Sequence, residues 1–230
     1  CEQLWRMEVK ILKRIALQTV TLCAAVGWGL VLVGCDNTGL YSKVKPEYDL
    51  AANQDKKILL WVEAPRSAAA DVDAAEKLAA ALVEHLVARA KVKPENVLVQ
   101  ADSRVNPVGN VLTPESVARQ EGAGLVLIVR IEEYELFPMN IRDYHFGHMM
   151  TRSLLLDVET NKHLWPKNGL GKVHDVAIEL GQGNRTVVLS RMAASSAHCI
   201  LRDLYPIVKL YYKNSDERIS MQEAFEMETF

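Results

Sequence analysis

The sequence predicts a layered α/β domain, a mixed β-sheet with helices packed on it in the order β-α-β-α-β-β-(β)-α, preceded by a signal peptide. Three observations carry this. Short aliphatic runs bounded by proline or glycine alternate with segments of helical spacing, the pattern of strands joined through covering helices. A chain of 230 residues, 49% hydrophobic and 24% charged, suits one globular core with an appendage. Finally, the stretch from Ile15 to Gly34 is uncharged and comes after a basic cluster, the order of an export signal.

Lys10, Lys13 and Arg14 form that cluster, and the basic flank stays on the cytoplasmic side while the chain beyond it crosses the membrane. Leu32-Val33-Gly34-Cys35 has the form of a lipobox: Gly34 leaves room for a peptidase at the scissile bond, and the freed Cys35 thiol accepts a diacylglyceryl group. Two or three acyl chains, at roughly 0.8 kcal/mol per buried methylene, make a stable anchor. The alternative topology is an uncleaved single-pass helix, since about 20 apolar residues span a bilayer. Met7 makes a natural start, so residues 1–6 are expected to be upstream translation and 1–34 the signal peptide. Residues 35–56, polar and without periodicity, read as the acylated cysteine and a tether.

The domain is expected over 57–212. Lys57 to Glu63, KILLWVE, reads as a strand buried on both faces. In the alanine-rich segment after it, Ala75, Leu78, Leu82 and Leu86 recur at three and four, an amphipathic helix. Asn96 to Gln100 is a second strand, and strand-helix-strand favours a parallel crossover, with antiparallel placement left open. Thr113-Pro114-Glu115 caps a short helix that Gly122 ends. LVLIVRIEEYELF begins as a central strand and emerges into solvent from Arg130. MTRSLLLDVETNKHLWP makes a further strand and a turn at Thr160 to Lys162, where Asn161 supplies the left-handed residue. A short strand is expected near Leu170 to Ile178. A helix is expected from Arg185 to Tyr205, with Val188, Met192, Ser195 or Ser196, Cys199 and Leu204 as core positions, stopped by Pro206. Residues 213–230 read as a polar tail.

The lipobox, the KILLWVE strand, AGLVLIVRIEEYEL and the LLLDVETNKHLW hairpin together resemble small bacterial envelope lipoproteins whose periplasmic domain has the fold of the curli-secretion lipoprotein and the amino-terminal domain of TolB. In those relatives the strand after the central one carries an aspartate, two residues, Thr-Gly and an apolar position. Asp157, Thr160 and Leu164 match, with Asn161 in place of the glycine. The resemblance implies an interaction or accessory role in an envelope assembly or transport complex, commonly without catalysis. The pore-forming hairpins of a curli-type channel are not evident, since neither candidate region shows two long alternating membrane strands. Attachment to either envelope membrane, facing the periplasm, stays open.

The chemistry is sparse. Loss of the leader removes four of 27 cations and two of 29 anions, for a net charge of −4, a poor footprint for nucleic acid. His145 and His148 could bind a metal only with a third ligand from Asp143, His163 or His174, and surface histidines on a polar loop explain them better, so no metal or cofactor is expected. The glycines at 169, 171, 181 and 183 read as turns, Glu132, Glu133 and Glu135 as a strand leaving the sheet, and Cys199 as a small buried hydrophobe. No nucleophile motif is present, so no catalytic residue is assigned. Tyr134, Phe137, Tyr144 and Phe146 are either core or a contact patch for an envelope protein; Phe137, Tyr144 and Phe146 are the candidate contact. A lipid-, glycan- or small-ligand-binding module is the alternative function.

Overall fold

Why the central strands run parallel is explained by the helices between them. The computed structural model describes residues 42–53, 55–64, 72–101 and 113–218. Strand β2 (Ile58–Glu63) lies between β3 (Val97–Ala101) and β4 (Leu125–Pro138) and pairs parallel with both. Helix α1 (Val72–Ala88) makes the first crossover and α2 (Pro114–Glu121) the second. The rest of the sheet is antiparallel: β4 pairs with β5 (Tyr144–Asp157), whose last residues pair with β6 (Lys162–Trp165) and whose remainder pairs with β7 (Lys172–Gln182). Helix α3 (Arg185–Leu201) then returns along the sheet. A separate two-stranded ribbon joins β1 (Lys43–Val44) to β8 (Ile207–Val208). The mixed, helix-backed α/β sheet agrees with the sequence reading.

Two cores form on the two faces. On one, α1 and α3 lie over Leu60, Val62, Leu127, Val129, Met149 and Val176, with Leu78, Leu82 and Leu86 of α1 wholly buried. Each such leucine contributes roughly 1.5–3 kcal/mol of burial. On the other, the short α2 sets Val117 and Ala118 against Leu59, Trp61, Val126 and Leu156. Its ends are as the sequence predicts: Thr113 and Ser116 form a reciprocal cap, and Gly122, at φ 69°, closes it in the left-handed region that glycine adopts freely. Close seating of α3 depends on Gly181, where a Cβ would lie 2.7 Å from Val188 Cγ1 and 3.0 Å from the His145 carbonyl.

Four stretches depart from the sequence reading. The tether is docked from Lys43 onward: Glu47 and Leu50 amides donate to the Asp203 and Leu204 carbonyls, and Leu50 is buried. Tyr144 to His148, expected in a polar loop, opens β5, so β4 and β5 form a hairpin with arms of 14 residues each. In the far half of β4 the residues alternate between half-buried and exposed, since neither face there is fully covered. At the other end of the chain, residues 216–218 lie against the outer edge of β7, where the Ala177 amide donates to the Asp216 carbonyl and Arg218 to Asp175. Finally, α3 ends at Leu201, and Arg202 to Leu204 turn toward β8 ahead of Pro206.

The signal peptide, Leu32, Val33, Gly34 and Cys35 lie outside the described residues. Among those described, no helix is long and apolar enough to cross a membrane.

Candidate functional site

The far end of the β4–β5 hairpin presents an apolar surface. Phe137 and Phe146 are register partners and their rings stack at 4.9 Å between centroids. Phe137 remains 49% exposed and Ile141, in the connecting turn, 53%. Tyr144 shares the face of Phe146, two positions along an extended strand, and is half-buried. Leu180 extends the patch from β7, where the register shift between His145 and Gly147 sets Glu179 and Leu180 against Phe146. The turn itself is held. Asp143 takes φ 61°, its carbonyl accepts from the Gly183 amide at 2.8 Å, and Met139 N donates to Tyr144 O at 2.9 Å. Phe137, Tyr144 and Phe146 therefore share one partly exposed apolar patch, whereas Tyr134 turns to the helix-covered face and packs on the core.

A belt of charge pairs crosses the same sheet face between this tip and the core beneath α2. Glu63 accepts from Trp61 Nε1 at 2.7 Å and from Arg130 Nε at 2.9 Å. Glu132 takes two bonds from Arg152, at 2.6 and 3.2 Å, and His148 Nε2 lies 2.7 Å from Asp175. Glu132 is thus committed to an ion pair, while Glu133 and Glu135 are exposed.

At the opposite end, polar side chains converge under α3. Lys172 lies 2.8 Å from both Glu47 and Asp203. Burial alone would lower the Lys172 ammonium, but the attraction of Asp203 and Glu47 outweighs it and holds the group protonated above the usual lysine range. Arg202 pairs with Glu217 through both carboxylate oxygens and stacks over the Tyr212 ring, 4.6 Å from its centroid. Burial, then the neighbouring Asp203 that accepts its hydroxyl, pushes Tyr212 up to about 12. Deeper, His174 Nε2 meets Ser153 Oγ at 3.2 Å and burial depresses its pKa to about 3, so the imidazole is neutral. Ser153 has no exposed surface, and the pair ties β5 to β7 without presenting a nucleophile. A cleft of about 620 Å³ beside Lys172 is lined by Glu47, Pro166, Lys167, Asn168, Gly171 and Val173, and within it Lys172 is paired with Glu47.

The histidines do not converge. His145 and His148, three apart on one extended strand, face opposite sides of the sheet: His145 Nδ1 bonds the Gly183 carbonyl at 3.0 Å, and His148 bonds Asp175. No three His, Cys, Asp or Glu side chains among the described residues gather as a metal site. Cys199 is fully buried in α3. Sequence reasoning missed the polar cluster because its members come from five segments; only the run of buried polar types in α3 and after it, Ser195, Ser196, Arg202 and Asp203, signalled it.

Taken together, these features define a two-ended α/β body, with an apolar hairpin tip at one end and a self-neutralised polar cluster at the other. No protein-family model and no curated protein matches the chain. Solved structures similar to it include a point variant of the PelC dodecamer from Paraburkholderia phytofirmans, at 16% identity and TM-score 0.40, covering 71% of this chain and 95% of that one. The lipoprotein GNA1162 from Neisseria meningitidis, at 16% identity and TM-score 0.37, covers 63% of this chain and 97% of that one. A neuraminyllactose-binding hemagglutinin homolog from Helicobacter pylori, at 12% identity and TM-score 0.29, covers 81% and 92% respectively.

Proposed function

We propose that the chain is a bacterial envelope lipoprotein, anchored through acylated Cys35, whose periplasmic α/β body is a non-enzymatic accessory that binds an envelope protein through the β4–β5 hairpin tip. The observation that carries this reading is the stacked, solvent-facing Phe137–Phe146 pair with Ile141 beside it, apolar surface that a sheet without a partner leaves costly. Its placement supports the same reading. Helix α3 begins next to Gly183, which bonds the hairpin turn, and ends next to the segment that receives Glu47 and Leu50, so the tip and the incoming chain are separated by the helix length, about 25 Å. The contact surface is thereby held out from the anchored end.

The test is site-specific photo-crosslinking in cells. A benzophenone side chain at Phe137 or Ile141 is expected to join one discrete envelope protein, and the same group at the exposed Lys77 of α1 is not. Equal, diffuse adducts from all three positions would remove the tip as the contact. The ligand-binding alternative has its place in the cleft beside Lys172, where an anionic ligand would have to displace Glu47.

A further inference from the structure

The β1–β8 ribbon has one face on the core and one on solvent. Val44 and Ile207 pack inward, while Lys43 and Lys45 are exposed. The chain leaves β8 through a 3-10 turn, Lys209–Tyr211, that carries Leu210 at 69% and Tyr211 at 65% exposure. Lys209 and Lys213 flank the pair and are exposed as well, and the register of Lys43 with Val208 brings the first two lysines beside the last two. Among the described residues none of the four makes an ion pair. The carboxylates close by are taken: Glu47 by Lys172, Glu217 by Arg202 and Asp216 by Arg191.

A leucine and a tyrosine side by side, flanked by ammonium groups that make no ion pair among the described residues, match the chemistry of a bilayer surface. Tyrosine places its ring at headgroup level, leucine enters the acyl boundary, and lysine stems lie along apolar surface while their heads reach anionic phosphates. The chain length points the same way. Only Asp36 to Ser42 separates Cys35 from Lys43, a reach of no more than about 30 Å fully extended. Short tethering makes docking intramolecular, at an effective concentration on the order of millimolar, so even a small patch is populated.

We propose that the corner formed by Lys43, Lys45, Lys209, Leu210, Tyr211 and Lys213 docks on anionic phospholipid, so that the acyl anchor and this face together orient the body with its hairpin tip away from the membrane. This rests on the reading that Cys35 is acylated.

The experiment uses the mature acylated protein in phosphatidylglycerol/phosphatidylcholine vesicles, with an environment-sensitive fluorophore on Leu210→Cys and, for comparison, on Phe137→Cys; Cys199 is fully buried and Cys35 is blocked by its lipid. The expected result is a blue shift and brightening of the label at 210, quenched by lipid-borne quencher, with the label at 137 unchanged. Replacing Lys209 and Lys213 with Gln should reduce the docked-to-free ratio roughly fivefold per lysine, and pure phosphatidylcholine should do the same to the whole set. A vesicle-bound, acylated protein whose label at 210 stays as aqueous as that at 137 would overturn the docking face while leaving the anchor intact. A label at 210 shielded in cell membranes yet aqueous in vesicles would overturn it too, in favour of a protein occupant. A mature chain without acyl mass, free of the vesicles, would remove the anchor and this face together.

Discussion

At the residue scale, the molecule's acid response is concentrated in a few buried groups. His174 is neutral in the fold and binds a proton in the unfolded chain below about pH 6.5, so stability falls as the pH drops from there toward 3, by about 1.4 kcal/mol per unit. Urea titrations at pH 7 and pH 5 should record that slope, and His174→Gln, which keeps a hydrogen-bonding side chain beside Ser153, should flatten it. Asp157 behaves differently. The Thr160 amide, then its hydroxyl and Lys56, hold the carboxylate at about 2, so its contribution is complete above the ordinary aspartate range and is lost only as the pH falls through about 4 to 2. Asp157→Ala should lower stability by about 1–3 kcal/mol at pH 7, since three hydrogen bonds lose their acceptor. The aspartate-threonine-asparagine pattern was legible in the sequence as a turn, and Asn161 does adopt φ 53°. That Lys56 would join it was not, because the lysine arrives from 101 residues upstream. Glu217→Ala should be the harsher change, roughly 3–5 kcal/mol in a denaturation curve, because it strands the nearly fully buried Arg202 guanidinium.

At the scale of elements, helices and central strands were readable because their periods are undiluted: α1 repeats apolar residues every three or four, and β2 is apolar from Ile58 to Val62. The hairpin was not, and one irregularity explains much of that. The register shift between Ile131 and Glu133 reverses the alternation of β4, so Ile131 and Tyr134, which strict alternation would set on opposite faces, both turn to the helices. Reading the aromatic residues by parity alone therefore misplaces them, and the apolar patch was visible as a set of residue types but not as a surface. With the benzophenone placed at the exposed Leu180, the double variant Phe137→Ser/Ile141→Ser should lose the crosslinked partner while its Tm moves little, because both side chains are about half exposed to solvent. Gly181→Ala should do the reverse, lowering stability by about 1–3 kcal/mol as α3 is pushed off β7, with Val188→Ala restoring only part of it, since the His145 carbonyl cannot retreat.

On the scale of the whole molecule, the organisation is polar along its long helix, with the ribbon strand β1 toward one end and the apolar hairpin tip toward the other. If Cys35 carries the lipid, Cys35→Ala should no longer incorporate labelled palmitate and should pass into the soluble fraction, with circular dichroism of the body unchanged. Retention of that variant in the membrane with the leader still attached would instead identify an uncleaved helix. The short return of the chain over Asp175 to Ala177 has a last effect on behaviour in a crowded compartment. By taking up backbone groups of Asp175 and Ala177 on the outer edge of β7, it leaves a neighbouring copy less of a template on which to add a strand of its own there, which works against edge-to-edge growth.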